Sequence, residues 1–412
     1  MNFAKPEIES AGAAAQIAAV AAELRRQLTP LLESLAGSPP RPVRLMRSAG
    51  LDKSLASRLV QATRADSDLE FLHTVPSPTG LRILLERARG AAEPALLHAA
   101  EQAVARFEAL LDAVPGGRQT LDARMGETQS SIRERREQTA RQASFKAASF
   151  LFGHCCDTLC TALFLVPAAD GESVDLVEVH RRLGLQRLSA GMALPLLSVH
   201  TQAEAPVPGG GPSMTSLEGD WHTRQPRDFL VAEASSQPLP ELQVIEEGRM
   251  STFVLAADAK AAAPARLTSA FRVQRAERLT QAEAYVVVRS YMLHTPCQTL
   301  VRDIYVARGL WPDALPQVGF YLPAPSGASM AQPEPGQPHL RRVNLTARIE
   351  QLPAGASAFE LPGVPDQAGA IAAVLARAGI GGTEFRGWRC RMTYPVPLIE
   401  MQVAFRFAGA PV

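Results

Sequence analysis

The chain has 412 residues, 46% of them hydrophobic and 20% charged, enough apolar material for two or three globular domains with sizeable cores. A formal net charge of +1 excludes a whole-molecule field that would draw it to nucleic acid or an anionic membrane, so any such attraction must be local. No run of eighteen apolar residues offers to span a bilayer, and the start of the chain lacks a basic, cleavable leader, so the sequence reads as cytoplasmic.

Residues 7 to about 150 read as helices. Ile17, Val20, Leu24, Leu28, Leu31 and Leu35 recur at steps of three and four, one face of an amphipathic helix that Pro30 is expected to bend or interrupt. That face is also the expected seam of a homodimer or higher homo-oligomer.

Next comes PVRLMRSAGLDKSLASRLVQATR, residues 42–64. Gly50 supplies a left-handed turn and Leu51 an apolar follower. Leu45, Met46 and Ala49 on one side, with Ala56, Leu59 and Val60 on the other, close a small shared core. Asp52 or Ser54 is placed to cap the second helix. From Arg41 to Arg64 there are six basic residues against the single acid Asp52. The segment resembles the helix-turn-helix of bacterial DNA-binding regulators, a resemblance confined to residues 42–64. It implies a transcription regulator that binds double-stranded DNA as a dimer, with the larger C-terminal half for sensing or assembly. Lys53, Ser54, Ser57, Arg58 and Gln61 would then face bases, while Arg41, Arg44, Arg47 and Arg64 would hold phosphates.

An acidic patch (Asp66, Asp68, Glu70) and a connector from His73 to Pro78 follow, then helices over Leu81–Arg89 and Pro94–Val114 that complete a bundle ended by Pro115-Gly116-Gly117. From Gln119 to Phe152 a long polar helix of mixed charge reads as a solvated connector.

After Gly153 the apolar period changes to two. Strands are expected over 155–166, 174–188, 192–201, 229–232, 242–245, 252–256, 285–294, 300–307 and 318–322, with Pro/Gly-rich loops at 205–226 and 323–338. The last unit holds a strand at 343–349, a helix at 366–378 and strands at 388–394 and 399–407. The expected fold class is α+β: an N-terminal helical bundle with a helix-turn-helix (1–118), a connector helix (119–152), a mainly antiparallel α+β domain (153–325) and a small C-terminal α+β subdomain (340–412).

The residue patterns of familiar chemistries are missing. The chain has no G-x-S-x-G, H-E-x-x-H, phosphate-binding loop or G-x-G-x-x-G between strand and helix, and Gly209-Gly210-Gly211 lacks the following Lys-Ser/Thr. Five cysteines do not make a secreted disulfide framework, and His154, Cys156 and Cys160 lack the second ligand pair that a zinc site needs, so core packing is the favoured reading. Arg386, Arg389 and Arg391 around Trp388 raise a single-stranded nucleic-acid surface, but their alternation fits a half-buried strand better. Arg302 and Asp303 alternate likewise and are expected to pair across a sheet. No catalytic residue, metal or cofactor is expected. The alternatives are an oligomerising protein-interaction protein without DNA binding and, third, a small-ligand binder or enzyme with its pocket between the C-terminal subdomains.

Overall fold

The computed structural model describes residues 6–128, 130–189, 192–200, 213–217, 219–220, 226–247, 250–255, 265–279, 285–323, 341–345, 347–364 and 366–407. The chain is a mixed α+β protein with a large sheet, and it divides into two compact units at Glu137/Gln138.

The first unit is helical: α1 (Pro6–Ala36), α2 (Pro42–Ala49), α3 (Lys53–Thr63), α4 (Asp68–Thr74), α5 (Pro78–Ala88), α6 (Pro94–Ala113), α7 (Gly117–Thr128) and the start of α8 (Ser130–Phe152). α1 runs through Pro30 instead of stopping there. A proline inside a helix costs about 3 kcal/mol, but Leu24, Leu28, Leu31 and Leu32 around it are fully buried, each contributing about 1.5–3 kcal/mol, so packing wins. Because Ile17, Leu24, Leu28, Leu31 and Leu35 are buried within this single chain, the expected dimer seam on α1 is already occupied by the unit's own core.

α4 occupies the stretch read as an acidic patch and connector. Ser67 accepts from the Glu70 backbone N–H at 3.2 Å and Glu70 accepts from Asp66 N at 3.0 Å, so the acids of that patch start a helix. Arg118 donates to the carbonyls of Leu72 and His73, satisfying the end of α4. The expected connector helix is two helices, α7 and α8, and the unit boundary falls inside α8.

The second unit is built on an eight-stranded sheet. Its strands are β1 (His154–Pro167), β2 (Ser173–Arg187), β4 (Ser213–Ser216), β5 (Gly219–Asp220), β8 (Ala265–Arg278), β10 (Cys297–Ala307), β12 (Ile349–Gln351) and β13 (Phe385–Thr393), in the order β12-β13-β10-β1-β2-β8-β4-β5. Only the β1–β10 pair of this sheet is parallel. Two three-stranded sheets accompany it: β3 (Leu194–His200), β7 (Met250–Leu255) and β6 (Leu242–Glu247), and β11 (Leu315–Tyr321), β14 (Glu400–Arg406) and β9 (Tyr285–Met292).

Side chains alternate across β1, so Leu163 and Leu165 pack with Val403 and Phe405 of β14, while Ala162 and Phe164 pack with Ile371, Val374 and Leu375 of α9 (Gln367–Arg377). The large sheet is therefore covered on both faces. This is why β1 reads as the nearly unbroken apolar run Leu-Cys-Thr-Ala-Leu-Phe-Leu-Val.

Several expectations change. β12 and β13 join the large sheet and β14 joins β9 and β11, so the strands of the expected 340–412 subdomain pair with strands of the preceding stretch. The run 229–232 is not a strand: it lies in two 3-10 turns joined by a single bridge from Leu230 to Ser269, too short for a ladder. The strand expected at 343–349 is confined to Ile349–Gln351. Most of the loop expected at 205–226, and residues 324–338 of the second, lie outside the described residues.

Candidate nucleic-acid interface

The segment from α2 to α3 is held by three local devices. Pro42 opens α2 at a position where its missing N–H is no loss. Gly50 ends α2 with φ 61° and ψ 30°, the left-handed geometry that glycine adopts most readily. Asp52 caps α3, its Oδ1 accepting from Ser54 N at 2.8 Å and Leu55 N at 3.0 Å; of the two expected caps, Asp52 fills the role.

Leu45, Ala49, Leu51, Ala56, Leu59, Val60 and Ala62 are buried and Met46 packs at their edge, so the apolar positions read from the sequence all meet in the unit's core. The opposite side of α3 is open. Lys53, Ser54, Ser57, Arg58 and Gln61 are all exposed, as are Arg41, Arg44, Arg47 and Arg64. Lys53, Ser57 and Gln61 are spaced by four and form a stripe about 12 Å long at 1.5 Å per residue, with Ser54 and Arg58 beside it.

Charge is concentrated here. Asp52 is the only acid among the six basic residues, and its carboxylate is turned onto the start of α3. Arg47 lies in the last turn of α2, where a cation complements the helix dipole. Arg44 places its guanidinium over Gly37, so close that a Cβ there would lie 2.7 Å from Nη1. Burial lowers the pKa of Arg118 in α7 and Asp122 raises it, while the positive charge of Arg58 is among those that lower it further.

The other sequence candidates resolve differently. His154, Cys156 and Cys160 are buried on β1, and Cys156 sits opposite Cys297 of β10, where burial pushes its thiol well up. Among the described residues no group of three His, Cys, Asp or Glu is placed to hold a metal ion. On β13, Trp388, Cys390 and Met392 are buried and Arg391 is exposed, as a half-buried strand requires, but Arg389 is buried as well. It grips Asp303 of β10 at 2.7 and 2.8 Å, its register partner across the sheet, while Tyr305 donates to the same carboxylate at 3.0 Å. Arg386 donates to three carbonyls and covers the Trp388 ring. Arg386 and Arg389 are structural ties, and the Trp388 ring is buried beneath Arg386.

Sequence reading passed over Glu178, His180 and Arg182 of β2 and Arg289 and Tyr291 of β9. Glu178 accepts from Arg302 at 2.8 Å and Arg289 at 2.5 Å inside the sheet layers. The available signal was the run of titratable residues Glu178, His180, Arg181 and Arg182 in the middle of a strand whose neighbours are largely apolar.

No known protein family's profile matches the chain, and no curated protein matches it. Among solved structures, a “putative protease” from Parabacteroides distasonis aligns at 8% identity over 62% of this chain, with a TM-score of 0.20. The chain spans 41% of that protein's length, and a likeness this remote carries no argument about fold or activity. No helix among the described residues is long and apolar enough to cross a membrane.

Proposed function

We propose that the chain is a sequence-specific DNA-binding protein that regulates transcription, acting as a homodimer through α2 and α3 as a helix-turn-helix. The observation that carries the reading is the exposure of all five base-facing candidates on α3 while Ala56, Leu59, Val60 and Ala62 anchor its other side. A helix so anchored presents its N-terminal turns outward, as entry into a major groove about 12 Å wide demands. Ser54, Ser57 and Gln61 exchange hydrogen bonds with base edges, Arg58 takes a guanine, and Arg41, Arg44, Arg47 and Arg64 lie on phosphates. Two half-sites are needed because one small module makes too few contacts for useful specificity.

The test is selection of fragments from a random or genomic DNA pool by the full-length protein, followed by titration of the recovered sequence. Arg58→Ala is expected to weaken the selected site by about 1–3 kcal/mol while leaving binding to unrelated duplex nearly unchanged. Failure to enrich any sequence, or equal loss on all sequences, removes the base-reading role.

A further inference from the structure

On one face of β2 the second unit buries arginines that the single carboxylate of Glu178 does not balance. Glu178, His180 and Arg182 occupy alternate positions of β2 and share one face, and strand register places His180, Thr161 and Arg302 side by side across β2, β1 and β10. Arg289 and Tyr291 of β9 come over this face, with the Tyr291 and His180 ring centroids 4.6 Å apart. Glu178 is bridged by both Arg302 and Arg289, whereas no carboxylate among the described residues lies within salt-bridge distance of Arg182. Arg182 and Arg302 are both fully buried.

Their hydrogen bonding is incomplete in a specific pattern. Arg302 spends Nη1 on Glu178, and its Nε and Nη2, the parallel side-on pair of the guanidinium, have no partner among the described residues. Arg182 donates Nε to Thr295 Oγ1 at 3.2 Å and Nη2 to the Leu196 carbonyl, leaving Nη1 unpartnered. The Tyr291 hydroxyl is unpartnered too, and both guanidinium charges bear on it and on the His180 ring. His180 Nε2 lies 3.2 Å from Glu178 Oε1 but outside hydrogen-bonding geometry. Burial pushes Tyr291 up to about 12 and His180 down to about 4, so at neutral pH the phenol keeps its proton to donate and the imidazole adds no charge.

We propose that this interior is a binding site for a small carboxylate, held by the Nε/Nη2 fork of Arg302 with Arg182 Nη1 and the Tyr291 hydroxyl as further donors. A carboxylate offers about four lone-pair sites on two oxygens, and these are four donors, two of them in the fork geometry that matches its plane. A single anion offsets part of the charge that Glu178 leaves uncompensated, and buried guanidinium groups are strongly disfavoured without such a partner. Leu159, Leu300 and Met401 in the same core set an apolar surround, which suits a ligand with one charged end. The site lies wholly within the second unit and stands independently of the DNA reading.

Acetate is the probe. Calorimetric and thermal-melt titrations of the full-length protein compare sodium acetate with sodium chloride and sodium phosphate at equal ionic strength. Saturable binding and a rise in melting temperature with acetate, absent with chloride, are expected. Arg302→Lys keeps a cation for Glu178 but removes the fork, and Tyr291→Phe keeps the ring on His180 but removes the donor; each is expected to weaken acetate by about tenfold or more. Chloride acting as well as acetate, phosphate binding in its place, no saturable response to acetate, or unchanged affinity in a folded Tyr291→Phe protein would each overturn the proposal.

Discussion

Gly50 and Asp52 set the angle at which α3 leaves α2, and their contributions are separable because each acts through a different group. Nothing lies within 4 Å of a Cβ built on Gly50, so an alanine there meets no clash and pays only for holding φ at 61°. That conformational cost is about 1–2 kcal/mol for a residue with a Cβ. Asp52→Ala instead exposes the N–H groups of Ser54 and Leu55, at about 1 kcal/mol. Urea unfolding of the helical unit is expected to show both losses, with Gly50→Asn milder than Gly50→Ala because asparagine tolerates the left-handed region better. An undiminished midpoint in Gly50→Ala would mean that the turn is not a constraint on α3.

At the scale of elements, legibility followed how an element earns its burial. α2 and α3 could be read because their apolar residues keep one period, β1 because its apolar run is nearly unbroken, and all three because their ends carry turn chemistry: Gly50 and Asp52, and Gly153 before β1. α4 was hidden because its start is polar, Ser67 and Glu70 acting through hydrogen bonds that look like loop composition in sequence. β8 was missed altogether. It reads Arg-Leu-Thr-Ser-Ala-Phe-Arg-Val-Gln-Arg, and its charges are absorbed by neighbours no local pattern announces, as when Arg272 pairs with Asp175 of β2, 97 residues away. The charged residues of β2 stand out in the sequence, but their partners could not be read for the same reason, since they come from β9 and β10. That face makes a pH prediction. The His180 pKa is about 4 in the folded protein against about 6.5 in an unfolded chain, mainly because burial disfavours the imidazolium; Glu178 opposes this, and Arg182 and Arg302 reinforce it. Above about 6.5 neither state holds the proton, so the full stability is present; as pH falls toward 4 the unfolded chain binds it and the folded protein loses about 2–3 kcal/mol. Glu178, held well below the usual carboxylate range against its own burial by Arg289 and Arg302, adds its loss only at lower pH. Burial pushes His294 of the same unit down to about 4 as well, so denaturant midpoints of the second unit between pH 7 and 4 check the sum, and His180→Asn is expected to remove about half of the decline. A variant that keeps the wild-type profile would assign the pH dependence elsewhere.

For the whole molecule, a net charge of +1 and a cationic face of six basic residues against one acid have opposite consequences for DNA. Residues 1–150 hold 20 basic and 17 acidic side chains, so the excess on α2 and α3 is offset nearby and long-range steering is weak. Phosphate contacts, in contrast, are made at short range and depend on local charge alone. On the proposed reading, four arginines on phosphates in each protomer would release counterions with a log–log salt slope of about −4 for a single unit and about −7 for a dimer. Affinity for a selected duplex is therefore expected to fall by about two orders of magnitude between 50 and 200 mM salt if one protomer binds and by about four if two do. Fluorescence anisotropy across that range reads the slope directly, and Arg47→Ala, which would remove one proposed phosphate contact per protomer, is expected to lower its magnitude by about 1 or 2 accordingly. The slope thus counts protomers on DNA without recourse to the free protein, which matters because the apolar stripe of α1 is spent on the intramolecular core and does not supply the dimer seam. A slope near zero would mean that the face formed by Arg41, Arg44, Arg47 and Arg64 does not meet phosphates, and the segment would then serve as a corner of the helical unit presenting its charges to another partner.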